Sequence, residues 1–196
     1  FGARQFRSIT SDNEKIILDY TNYSNSKKKT FVNYIPRKIK IDEDFQYFFG
    51  LWCGDRLGSG RFGVVNKCKE INFYTSNYLK KLYQKSEFIL LYNASIEKPR
   101  LDYPIDGEYV IKSKNGRNGY SVLVGIKNGI MFSFFNYLYK ELDTVLRLIP
   151  NKNMFFAGLF DAEGNVFLED GCFRWACLNM KSVEIYKKHL TDLGLF

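Results

Sequence analysis

Two apolar stretches of this chain repeat one spacing of small residues, and each ends in a carboxylate. They read Phe48-Phe49-Gly50-Leu51-Trp52-Cys53-Gly54-Asp55 and Phe155-Phe156-Ala157-Gly158-Leu159-Phe160-Asp161-Ala162-Glu163-Gly164. Superposed, Gly50 falls on Gly158, Leu51 on Leu159, Gly54 on Ala162 and Asp55 on Glu163. Residues four apart share one face of an α-helix. Small residues there let two helix backbones approach closely. The spacing predicts a helix pair whose interface is Gly50, Gly54, Gly158 and Ala162.

Packed in that way, the copies set Asp55 and Glu163 beside each other at their C-terminal ends. Neighbouring carboxylates repel unless one keeps its proton or a cation lies between them. Hard oxygen donors suit Mg2+, with the carbonyls of Gly54 and Ala162 as further ligands. A centre of that kind activates water and stabilises an in-line displacement at a phosphodiester. A single copy reads as well as an apolar helix with its acid in solvent. Two matched copies weigh against that reading.

Composition narrows the partner. The 196 residues are 45% apolar and 17% aromatic, which suits a packed globular protein rather than a disordered one. A formal net charge of +8 points to an anionic partner, nucleic acid before membrane. No apolar run approaches the roughly 20 residues of a membrane span. The first residues have no signal-peptide layout, so the expected location is cytoplasmic. Cys53, Cys68, Cys172 and Cys177 lack C-x-x-C spacing and read as reduced thiols rather than as a disulfide or zinc set.

Three regions follow along the chain. Residues 1–40 form a basic N-terminal arm, with strands expected at Lys15–Tyr20 and Thr30–Tyr34 in a hairpin. Residues 41–150 carry the first motif, with Asp42 to Asp44 as N-cap candidates. Two strands are expected at Arg61–Asn66 and Lys69–Tyr74, then a helix opening at Ser76-Asn77. A strand over Phe88–Ile96 follows, then a hairpin of Glu108–Lys114 and Tyr120–Ile126, and a long helix over Ile130–Leu148. Residues 151–196 carry the second motif, strands at Val166–Glu169 and Phe173–Leu178, and a helix over Ser182–Leu193. His189 reads as a surface or packing histidine, and Trp52 and Trp175 as core aromatics.

The two motifs resemble those of the LAGLIDADG homing endonucleases in their two-repeat, monomeric form. Phe156 to Gly164 is the closer match and Phe48 to Asp55 the looser one. The resemblance covers about Ile35 to Phe196. It implies an α+β fold of two pseudo-symmetric αββαββα halves, forming a DNA-binding saddle around the central motif helices, with the second half truncated. It further implies Asp55 and Glu163 as catalytic acids that hold Mg2+ with Gly54 and Ala162, and double-stranded DNA as substrate. Base and backbone contacts would come from Arg61, Lys67, Lys69, Asn72, Lys112, Lys114, Arg117 and Arg174. On the strand containing Arg61, parity puts Arg61, Gly63, Val65 and Lys67 on the groove face. The gene would lie in an intron or an intein, and the protein would act wherever the host genome lies.

The sequence departs from an active member in three places. Arg56 stands where the first motif usually ends in glycine. Phe73-Tyr74-Thr75 and Ala176-Cys177-Leu178 offer no lysine near the metals, and the second half is short. The competing reading is a catalytically decayed nucleic-acid-binding relative, either a DNA-binding module or an intron maturase that binds RNA. A third is the endonuclease domain of an intein.

Overall fold

The computed structural model describes residues 5–12, 15–21, 38–57, 61–82, 89–94, 108–113, 120–126, 128–149, 151–167, 169, 172–175 and 179–195. Strands β1 (Gln5–Asp12), β2 (Lys15–Thr21) and β3 (Lys38–Lys40) precede helix α1 (Glu43–Asp55). Then come β4 (Phe62–Asn66), α2 (Lys69–Leu82), β5 (Ile89–Ala94), β6 (Glu108–Ser113) and β7 (Tyr120–Ile126). The chain continues through α3 (Gly129–Lys140), α4 (Leu142–Leu148), α5 (Asn153–Glu163), β8 (Gly164–Phe167), β9 (Cys172–Trp175) and α6 (Met180–Asp192). The class is α+β, as expected. No helix among the described residues is long and apolar enough to cross a membrane.

The chain divides into two compact units. One is built mainly on Asp55–Ser133 and holds a four-stranded sheet in the order β4-β7-β5-β6. Strands β4 and β7 pair antiparallel with Val64 opposite Val124. Strand β5 pairs antiparallel with β7 and parallel with β6. The Asn115-Gly116 turn suggested a hairpin of β6 with β7, but the two strands flank β5 instead. The residues joining them, 114–119, lie outside the described residues, as does the second strand expected at Thr30–Tyr34.

Helix α2 is the main departure from the sequence reading, which put a strand at Lys69–Tyr74. The helix begins at Lys69, and its buried residues Ile71, Thr75, Tyr78 and Leu79 recur at helical spacing. The Asn66 side chain accepts from the Cys68 backbone N–H at 2.7 Å just before it, and Glu70 stands in its first turn, where an acid favours a helix start. β-Branched and aromatic residues at 71–75 argued locally for a strand. Packing of one helical face against β4 and β7 decides otherwise. The element order after α1 is therefore not αββαββα.

The second unit contains Phe6–Asp19, Lys38–Gly54 and Phe134–Phe196. Its small sheet runs β1-β2-β3, with Ile16 opposite Ile39. Asp42 caps α1 through an Oδ1 bond from the Phe45 N–H at 2.9 Å. Phe45, Phe48, Phe49 and Trp52 all meet Phe135, with ring centroids 5.4–6.0 Å apart. Phe49 also meets Phe155, and Phe155 and Phe156 both reach Tyr186 of α6. Each buried Phe contributes about 1.5–3 kcal/mol of burial. The aromatic set is one continuous core.

Glycine sets how close α1 and α5 come. A Cβ on Gly50 would lie 1.9 Å from the Phe155 carbonyl oxygen, and one on Gly158 would lie 2.0 Å from the Tyr47 carbonyl oxygen. Backbone atoms cannot yield as a side-chain tip does. Tyr47 then ties the pair, its hydroxyl donating to Asp161 at 2.5 Å.

The same unit closes with α6 against α4. Asp143 accepts from Arg147, from Lys188 Nζ at 3.1 Å, and stands 3.0 Å from His189 Nε2. Arg147 first, then Lys188 and His189, hold the Asp143 carboxyl well below the usual carboxylate range. His189 is buried and burial pushes its imidazole below the usual value, so it is a packing residue rather than a surface one. Trp52 is a core aromatic, as expected.

Replacing Gly50 or Gly158 by alanine is expected to cost roughly 2 kcal/mol or more through overpacking, against the ~1 kcal/mol that alanine gains as a helix former. Urea melts of Gly50→Ala and Gly158→Ala measure this. A midpoint equal to wild type would contradict the backbone contact.

Candidate active site

Glu163 is the last residue of α5, and the next residue, Gly164, is already extended and opens β8. In the second unit the small face of α1 continues to this end of α5. A Cβ on Gly54 would stand 2.5 Å from the Ala162 Cβ and 2.8 Å from the Glu163 Cγ. The helix interface predicted from Gly50, Gly54, Gly158 and Ala162 is thus the one observed. Glu163 is half-buried, and burial pushes its carboxyl above the usual value. Among the described residues no hydrogen bond or ion pair offsets that burial. A cation would do so, which makes Glu163 a fitting ligand for a divalent metal.

Asp55 closes α1 and belongs to the first unit. Its carboxylate Oδ2 accepts from Asn66 Nδ2 at 2.5 Å. Asn66 ends β4 and is fixed twice more. Its Oδ1 accepts from the Cys68 N–H, and its backbone carbonyl accepts from Asn72 Nδ2 at 3.3 Å. The exit from α1 is pinned to the same strand, with Leu57 N–H donating to the Gly63 carbonyl and Arg56 bridged to Val64. Arg56 therefore begins a short pairing with β4.

Sequence reasoning missed Asn66. The signal was present in Asn66-Lys67-Cys68, since an Asn side chain commonly accepts from the backbone N–H two residues on, as an Asx turn. Reading Lys69–Tyr74 as a strand hid it.

The basic candidates separate. Arg61 is half-buried and Lys67, Lys69 and Arg174 are exposed. Lys69 lies at the start of α2, not on a strand. Asn72 is corrected: it is fully buried on α2, spent on the Asn66 carbonyl, and is not placed to read DNA. Parity on β4 holds in that Phe62 and Val64 are fully buried. On the opposite face Val65 packs on Leu57 and Leu123, so that face is part apolar rather than a row of readers. Lys112 lies in β6, while Lys114 and Arg117 fall outside the described residues.

Among the described residues no three His, Cys, Asp or Glu side chains gather into a metal cluster. A cation held by one or two carboxylates, with water and phosphate oxygens completing its shell, is the arrangement Mg2+ favours. The residues present fit that kind of ion. Cys53 is buried and Cys68 exposed, and both are unbridged thiols.

No protein-family model matches the sequence, and no curated protein matches it. One solved structure does. It is a substituted I-DmoI in complex with its target DNA, nicked in the coding strand, in the presence of 2 mM Mn. The match is 19% identical over 79% of this chain and 78% of that one, with a TM-score of 0.48.

The raised Glu163 carboxyl sets a pH dependence. A carboxyl whose folded pKa exceeds the unfolded one destabilises the fold once ionised, and does so no longer when both states are protonated. In the absence of divalent cation, Glu163→Gln is expected to melt above wild type at pH 7. The gap closes as pH falls below the usual 4.5. Thermal melts at pH 7 and pH 4 check this, and equal melting at both would contradict it.

Proposed function

We propose that this chain is a metal-dependent, site-specific DNA endonuclease of the LAGLIDADG homing type. The observation that carries the reading is the glycine-to-backbone packing of α1 and α5, which sets Gly54 against Ala162 and Glu163. Asp55 is the next residue after Gly54 in the chain. On this reading Asp55 and Glu163 hold the divalent cation, with the Gly54 and Ala162 carbonyls beside them. The bound cation supplies charge stabilisation at the phosphodiester and activates water.

The remaining roles belong to the chain itself. Glu163 must be ionised to serve, and a bound cation would offset the burial that raises its pKa. Asn66 holds Asp55. Lys67, Lys69, Arg61 and Arg174 supply positive charge for the phosphate backbone, consistent with a net charge of +8. Mg2+ is the proposed cofactor, duplex DNA the substrate, a single chain the catalytic unit, and an intron or intein the source of the gene.

The test is cleavage of a randomised duplex library, followed by sequencing of the broken ends. Wild type is expected to break both strands at one long site with Mg2+ or Mn2+. Asp55→Asn and Glu163→Gln are expected to lose at least about a hundredfold in rate, while keeping duplex affinity and its salt dependence measured in Ca2+. Tight duplex or intron-RNA binding without cleavage in any metal would instead support the decayed binding module or maturase.

A further inference from the structure

We propose that Asn66 is a positioning residue that orients the Asp55 carboxylate for the cation; this rests on the endonuclease reading. The orientation of the Asn66 amide follows from its partners. The Cys68 N–H can only face an acceptor, so Oδ1 points there, and Nδ2 is the group directed at Asp55. An N–H donor faces the charged carboxylate as its acceptor. The bond therefore orients the plane of the Asp55 carboxylate.

The support beneath Asn66 is rigid. Asn72, fully buried on α2, donates to the Asn66 carbonyl, and its own backbone N–H donates to the Cys68 carbonyl at 3.1 Å. The end of β4, the turn at Lys67-Cys68 and the first turn of α2 thus form one hydrogen-bonded unit, from which Asn66 Nδ2 reaches outward. That donor meets Asp55. A residue needed only to cap α2 would use Oδ1 and leave Nδ2 to water. A partner that orients a metal ligand costs about ten- to a hundredfold in metal affinity when it is removed.

The test uses Asn66→Ser in the full chain. Serine keeps an oxygen for the Cys68 N–H but is too short to donate to Asp55. Mn2+ affinity of the DNA-free protein, read by electron paramagnetic resonance, is expected to fall about ten- to a hundredfold with the thermal melt retained. In an Asp55→Asn background the same substitution is expected to change Mn2+ affinity no further. Wild-type affinity in Asn66→Ser, or an equal loss in both backgrounds, would overturn the role of Asn66 and leave the endonuclease reading standing. No Mn2+ affinity in wild type would overturn both. A measurement on wild type covers the case in which Asn66→Ser fails to fold: Mg2+ is expected to shift the Asn66 side-chain amide resonances. Unmoved resonances at saturating Mg2+ would overturn the proposal.

Discussion

The close approach of two helix backbones at Gly50 and Gly158 is the constraint on which the second unit depends. With less than 2 Å between a notional Gly50 Cβ and the Phe155 carbonyl oxygen, no side chain fits there. The helices must slide or part if either glycine is lost. The surrounding aromatic rings of Phe45, Phe49, Phe135 and Phe155 pack at the spacing this contact imposes. Because interiors pack densely, a shift at the glycines propagates to every ring that touches them. The same contact carries Gly54 onto Ala162 and Glu163.

Glu163 and Asp55 are held by opposite means. Glu163 is half-buried and its carboxyl is pushed up by burial. Asp55 is held by a donated hydrogen bond from Asn66, itself anchored at Cys68 and Asn72. One acid is set by burial and the other is oriented by a hydrogen-bond donor.

The motif helices were legible because their information is local and periodic. Gly50, Gly54, Gly158 and Ala162 announce a close helix pair, and the structure has it. Asp42 as N-cap follows from capping rules. What the sequence hid was decided by tertiary contact. Ile71 to Tyr74 looks like strand by composition, yet Thr75, Tyr78 and Leu79 bury a helical face on β4 and β7. The Asn115-Gly116 pair looks like a hairpin turn, yet β5 takes the place between β6 and β7. Asn66 was missed because its role depends on Asp55, eleven positions earlier, coming within hydrogen-bond reach. Asn72 failed as a DNA reader for a related reason: burial cannot be seen in a residue's type.

On the proposed function, Asp55 and Glu163 are ligands of a catalytic divalent cation. The most direct measurement of this is anomalous diffraction from crystals of the protein grown with Mn2+. The account predicts a Mn2+ peak about 2.1 Å from carboxylate oxygens of Asp55 and Glu163, absent in Glu163→Gln. Crystals with ordered Asp55 and Glu163 and no Mn2+ at either carboxylate would contradict it.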